Sequence, residues 1–172
     1  MPVSERGNIA PVLRYIENAE GPLNILDVGC GSGRYGAAIK NDKEINCSFL
    51  AAIEIWEQYI TYEMRNIYDV IHIGDARECL QKFSVFRWNF ILLLDILEHM
   101  TIGEAQKLFI QAARLSPCVI FSVPTKPYPQ GVIRGNPHEV HVTQYDEALV
   151  YETFHDVTLL RRGKHTGVFV KE

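Results

Sequence analysis

Five short apolar runs, at residues 23–28, 48–54, 69–73, 88–94 and 118–123, alternate with segments that carry helical spacing or helix-start signals. A run that is apolar at nearly every position, as 88–94 is, suits a strand covered on both faces. Strands that alternate with helices build a parallel sheet with helices on each side. The order therefore predicts a doubly wound, Rossmann-like α/β fold. Two further strands, at 157–161 and 167–171, lie close enough for an antiparallel hairpin, so seven mostly parallel strands with an antiparallel C-terminal strand are expected.

Helices are expected at 9–19, 34–40, 56–67 and 76–83. Another starts at the Thr101/Glu104 capping box and carries the stripe Ala105, Leu108, Phe109, Ala112 and Leu115. The last starts near Thr143 or Asp146, with Tyr145, Ala148, Leu149 and Glu152 on one face. The Pro/Gly-rich segment 124–143 has no period and leaves the carboxyl end of the fifth strand. Such loops are often functional, and this one is the expected acceptor-side element.

A chain of 172 residues is the size of one domain, and 1–172 is read as a single domain. With 47% apolar and 22% charged residues it has an ordinary globular composition, and a formal charge of -4 weighs against nonspecific binding to nucleic acid. No stretch approaches the roughly 18 apolar residues of a membrane span, and the N-terminus lacks a basic start with an apolar core. Four cysteines without a CxxC pair lie in or beside apolar segments, which suggests free thiols and a reducing, cytoplasmic compartment. Monomer and homodimer both remain open.

The first strand ends in Asp27-Val-Gly29-Cys30-Gly31-Ser-Gly33-Arg-Tyr-Gly36. Three glycines allow a sharp turn and bring backbone amides close to a ligand, with the following helix adding partial positive charge. Gly31 to Gly36 spells the dinucleotide pattern G-x-G-x-x-G, yet Asp27 is an awkward neighbour for a pyrophosphate and a suitable one for an ammonium or sulfonium. No Gly-Lys-Ser/Thr closes the loop, which excludes a P-loop.

Asp27 to Gly33 resembles the first motif, D-x-G-x-G-x-G, of the class I S-adenosylmethionine-dependent methyltransferases. The resemblance implies S-adenosyl-L-methionine as cofactor, with the loop and its acid around the methionine part. Glu54, ending Phe49-Leu-Ala-Ala-Ile-Glu54, matches the acid that takes both ribose hydroxyls, a task that suits a carboxylate. Asp75 and Ala76 match positions near the adenine, and Asp95-Ile-Leu-Glu98-His99 resembles the "D-x-L-E-H" form of the fourth motif. The implied cofactor contacts are Asp27, Gly29, Cys30, Gly31, Gly33, Glu54, Ile55, Asp75, Ala76 and Asp95. Trp56 is a further candidate beside the adenine.

Methyl transfer is an in-line displacement, so the protein holds the nucleophile and manages its proton. Candidates for that work are His141, His99 and Asp95. Asn136-Pro137-His138-Glu139-Val140-His141 resembles an "N-P-x-E-x-H" segment found after the fifth strand in a subset of the family. Thr143 and Gln144 follow where some relatives carry serine and tryptophan, so an aromatic lid is either replaced by Tyr145 or absent. A structural role for His99, Glu98 and His141 in tying down the loop stands beside the catalytic one. His138, Tyr128 and Arg134 are weaker candidates, and His72, His155 and His165 are read as local packing.

Asp95, Glu98, His99, His138 and His141 include enough ligand types for a divalent ion, but D-x-x-E-H also occurs in family members without metal, and no metal site is assigned. The leading expectation is methyl transfer to a small or medium-sized acceptor, oxygen preferred. Alternatives are a cofactor-binding accessory subunit that needs a partner, a metal-assisted RNA-terminal methyltransferase, and an NAD-dependent oxidoreductase. The N/D-P-P-Y/F motif for exocyclic base amines is missing at Asp95-Ile-Leu-Glu98.

Overall fold

The computed structural model describes residues 5–172. The apolar runs become β1 (Leu23–Val28), β2 (Cys47–Glu54), β3 (Val70–Ile73), β4 (Phe90–Leu94) and β5 (Cys118–Pro124), followed by β6 (Thr158–Arg162) and β7 (Thr166–Lys171). They form a seven-stranded sheet in the order β3-β2-β1-β4-β5-β7-β6. β1 to β5 are parallel, whereas β7 runs antiparallel between β5 and β6. This is the expected doubly wound sheet with its reversed C-terminal strand.

Alternate side chains of each central strand enter two cores, as the two-residue period of a pleated strand requires. One face buries Leu26, Ala51, Ile91, Leu93 and Phe121; the other buries Ile25, Leu50, Leu92 and Ile120. The helices are α1 (Ile9–Glu17), α2 (Arg34–Asn41), α3 (Met64–Ile67), α4 (Ala76–Cys79), α5 (Ile102–Leu115) and α6 (Glu147–Thr153). α5 starts at the expected capping box, with Thr101 Oγ1 accepting from the Glu104 N–H and the Glu104 carboxylate accepting from the Thr101 N–H. Phe121 anchors this side, with ring centroids 5.4 Å from Phe109, 5.0 Å from Phe154 and 5.2 Å from Phe169.

Three local expectations are corrected. Residues 56–67 are not one helix. Trp56 and Ile60 are extended, leaving a 3-10 turn at Glu57–Tyr59 and then α3. The cause is a tether: the Trp56 N–H donates to the Glu54 carboxylate, so the chain leaves β2 extended. Helix 76–83 is α-helical only to Cys79 and continues as a 3-10 segment. α6 is capped by Asp146 and buries Val150 and Thr153, whereas Ala148 and Glu152 are exposed. Tyr145 precedes α6 and is buried in the core, so it is not a lid.

α2 packs against the end of α3 through Gly36, where an added Cβ would overlap the Tyr68 ring. The last glycine of G-x-G-x-x-G thus makes room for the Tyr68 ring. Gly36→Ala is expected to cost about 1–3 kcal/mol, as overpacking does. Thermal unfolding checks it; an unchanged midpoint would mean that Tyr68 moves aside freely.

Candidate functional site

In a doubly wound sheet the connections leave to opposite sides where the strand order reverses, and a crevice opens at the carboxyl ends. Here the reversal lies between β1 and β4. A cleft of about 420 Å³ opens there, walled by the glycine loop, the ends of β2 and β4, and the segment after β5. Asp27, Gly29, Cys30, Gly31, Glu54, Ile55, Asp75, Ala76, Asp95, His99 and His141 all line it. Gly33 does not; it caps α2 in the left-handed conformation, with φ +75°.

Gly29 and Gly31 also have positive φ, +73° and +53°, where a side chain is strained. The turn directs the Gly31 N–H onto Glu54 Oε2 at 2.8 Å, while the Trp56 N–H reaches Oε1 at 2.8 Å. Each oxygen keeps a further lone pair for another donor. Burial pushes the Glu54 carboxyl upward, and these two backbone bonds oppose it.

Asp27 is buried and accepts from the Tyr68 hydroxyl at 2.6 Å. Burial pushes its carboxyl up to about 6, the Tyr68 bond pulls the other way, and the Glu54 charge adds to the rise. Nothing in local sequence spacing joins Tyr68 to Asp27, 41 positions away. Asp75 is engaged by its own neighbour: the Arg77 guanidinium and backbone N–H both donate to it, holding its carboxyl below the usual range. Asp95 has φ +55°; its Oδ1 accepts from Ser122 Oγ at 2.6 Å, and Oδ2 has no partner.

The segment after β5 is pinned at several points. Val142 and Thr143 donate backbone N–H groups to the Glu98 carbonyl at 2.8 and 3.0 Å. The Tyr59 hydroxyl donates to Glu139 Oε1 at 2.6 Å, and Asn136 Oδ1 accepts from the His138 N–H. Asn136 and Glu139 thus fix the loop. Arg134 and Gly135, both at positive φ, make its tight turn. His138 turns toward Trp56, with ring centroids 6.0 Å apart.

His99 Nδ1 lies 3.1 Å from the Val140 carbonyl and His141 Nδ1 lies 2.6 Å from the Tyr128 carbonyl. A carbonyl only accepts, so each Nδ1 carries the proton and each Nε2 keeps its lone pair. Burial lowers the pKa of both rings, with the carbonyl bonds opposing it. Burial thus favours the neutral form of both imidazoles, whose ring centroids lie 5.0 Å apart.

Glu98 is buried beside them, and its Oε2 has no partner. Burial, then the Asp95 and Glu139 charges, push its carboxyl well above the usual range. Donor atoms of Glu98, His99 and His141 lie within 4.8 Å of one another. Three of the five candidate ligand residues noted in the sequence thus meet, whereas Asp95 and His138 are not part of that group. Through Nδ1 each histidine ties down the segment after β5.

Glu5 is a wall residue that the sequence did not reveal. Its carboxylate accepts from the backbone N–H groups of Lys164, His165 and Thr166. Burial acts upward, but these bonds hold the carboxyl down at about 2.

Scans against known protein families and against curated proteins give no match. Solved structures do match. Magnesium protoporphyrin IX methyltransferase ChlM from Synechocystis PCC 6803, with bound SAH, aligns at TM-score 0.67 and 14% identity over 95% of this chain and 81% of its own. The N-terminal domain of EvdMO1, with SAH bound, aligns at TM-score 0.68 and 16% identity over 98% of this chain and 82% of its own. The small RNA methyltransferase HEN1 aligns at TM-score 0.72 and 12% identity over 99% of this chain and 26% of its own. The shared feature is the Rossmann-like methyltransferase fold. Among the described residues, no helix is long and apolar enough to cross a membrane.

Proposed function

We propose that this chain is an S-adenosylmethionine-dependent methyltransferase acting on an oxygen nucleophile of a small or medium-sized acceptor. The observation that carries the reading is the charge of the cleft floor. Asp27, Glu54 and Asp95 line one cavity, with Glu54 held by two backbone N–H groups and able to accept two more hydrogen bonds. Such a floor suits a ribose diol and an ammonium, and it repels a pyrophosphate. The fold shared with ChlM and EvdMO1, both holding SAH, supports the same cofactor.

The cofactor supplies an electrophilic methyl on a sulfonium. The protein's part is placement and proton handling. Glu54 takes the ribose hydroxyls and Asp27 faces the amino end. Asp95, fixed by Ser122, closes the sulfonium side. His141 accepts the acceptor's proton at Nε2, its orientation fixed through Nδ1. Free cysteines, none paired with another, fit a reducing, cytoplasmic location. A form that needs a partner subunit for turnover would still bind the cofactor.

Thermal unfolding with S-adenosylhomocysteine and with NADH tests the reading. A ligand at a hundred times its Kd stabilises by about 2.7 kcal/mol, roughly 5–10 °C for a chain of this size. A rise with S-adenosylhomocysteine alone is expected. A rise with NADH alone would return the loop to its dinucleotide meaning.

The Asp27 carboxyl adds a pH dependence. Its folded value of about 6 lies above the ordinary 3.8, so ionisation costs the ligand-free protein stability that returns as pH falls through 6 toward 4. A cation placed beside Asp27 favours the ionised form. Affinity for S-adenosylhomocysteine is therefore expected to fall by up to about fivefold between pH 6 and pH 5, and the fall should vanish in Asp27→Asn. Equal pH profiles of the two proteins would remove Asp27 from the cofactor's amino end.

A second reading, favoured by the Glu98/His99/His141 cluster, adds a divalent ion and makes the acceptor an RNA terminus; a small RNA methyltransferase shares the fold. The residues fit an ion: Glu98 Oε2 is buried without a partner, and both imidazoles keep Nε2 lone pairs while Nδ1 donates to a carbonyl. A bound ion would lower the pKa of an acceptor hydroxyl. Calorimetry with Mn2+ separates the readings. One-site binding that disappears in Glu98→Gln favours the ion, and no binding leaves His141 as sole base.

A further inference from the structure

Four rings run in unbroken contact along the acceptor side of the cleft. His99 touches His141 with centroids 5.0 Å apart, His141 touches Tyr128 at 5.8 Å, and Tyr128 touches His165 at 6.0 Å. The first two belong to the cluster described above. Tyr128 does not, and it differs from them in exposure: 47% of its surface is open, although it lines the cavity.

Its backbone is nonetheless fixed from both sides. The Tyr128 N–H donates to Gln144 Oε1 at 2.9 Å, and its carbonyl accepts from His141 Nδ1 at 2.6 Å. An exposed loop tyrosine held in this way keeps about half of its surface open at the cavity, beside His141 and His165. A rigid aromatic face at the rim of a pocket gains by stacking a planar ring, which saturated rings do not do as well. The bond from His141 also links the platform to the reacting centre: the residue that accepts the proton is oriented by the carbonyl of the residue that would hold the ring.

We propose that Tyr128 is the stacking platform of the acceptor site and that the acceptor carries a planar, unsaturated ring beside its reacting hydroxyl. This rests on the methyltransferase reading of the same cleft. Recognition is by the ring face, so a free phenolic or heteroaromatic compound and a nucleoside base share the relevant chemistry.

The test uses the full chain saturated with S-adenosylhomocysteine, after calorimetry has shown that this ligand binds. Failure at that first step overturns the cofactor reading; success followed by failure below overturns this inference alone. Catechol, cytidine and cis-cyclohexane-1,2-diol are then titrated by NMR. Catechol and the cyclohexanediol carry the same two hydroxyls on six carbons and differ in ring planarity. Catechol is expected to bind about tenfold or more tightly than the saturated diol, since one stacking contact contributes of that order. The preference should vanish in Tyr128→Ala and persist in Tyr128→Phe, which keeps the ring and loses the hydroxyl. Cytidine binding as tightly as catechol, or more so, points to a nucleoside acceptor; weaker cytidine binding points to a free aromatic. Equal affinity for the two diols, no measurable catechol binding, or a preference that survives in Tyr128→Ala would overturn the proposal.

Discussion

Glu54→Ala is expected to weaken binding of S-adenosylhomocysteine by at least about a hundredfold. Two hydrogen bonds to a charged acceptor contribute roughly 1.5–3 kcal/mol each, and both end on this one carboxylate. The substitution also frees the Gly31 and Trp56 N–H groups, which Glu54 holds at 2.8 Å, so the glycine loop loses a tether. Glu54→Gln keeps an acceptor oxygen at the same reach and should fall between wild type and alanine. Calorimetric titration of the three proteins, each checked for a cooperative thermal transition, gives the result. Wild-type affinity in Glu54→Ala would show that no ribose lies on this carboxylate.

The second large effect concerns turnover. His141→Ala removes the proposed proton acceptor, and general bases contribute about a hundredfold to ten-thousandfold. The loss should appear in kcat on whichever acceptor is turned over, with affinity for S-adenosylhomocysteine changed little. His99→Ala then discriminates between the two readings of the cluster. With His141 acting alone, His99→Ala loses less, because its Nδ1 bond to Val140 only steadies the loop. With an ion held by Glu98, His99 and His141, both histidine variants lose turnover together, and added metal partly restores both. Full turnover in His141→Ala would remove its catalytic role.

The sheet was legible because its signal is local and redundant. Continuous apolar runs suit strands covered on both faces, as β4 and β5 are, and every strand was found within two residues of its expected ends. The helical spacing of Trp56, Ile60, Met64 and Ile67 was equally regular but did not decide the structure. Glu54 captures the Trp56 N–H and Tyr59 reaches across to Glu139, and these contacts break the segment into two short turns. Periodicity reports which side chains are apolar, not which backbone groups a buried carboxylate claims.

The same limit governed the site. The glycine loop, Glu54 and Asp95 stand at strand ends, so sequence order alone brought them to one cleft. Tyr68 on Asp27, Ser122 on Asp95 and Glu5 at the wall are contacts across the fold, with no local pattern to betray them. The meeting of Glu98, His99 and His141 belongs to the same class. His141 follows β5 by a long loop, and contacts from other elements, among them the Glu98 carbonyl accepting from Val142 and Thr143, fix where that loop returns. Gly36, the last glycine of G-x-G-x-x-G, holds a packing position, and only the fold shows that its neighbour is the Tyr68 ring.

Calorimetric titration of the purified chain with S-adenosylhomocysteine at pH 7.5, alongside NADH, tests the central claim most directly. The account predicts one-site, saturable binding of S-adenosylhomocysteine and no heat from NADH, because the carboxylate floor of Asp27, Glu54 and Asp95 accepts hydroxyl and ammonium groups and repels a pyrophosphate. Saturable binding of NADH with none of S-adenosylhomocysteine would contradict it.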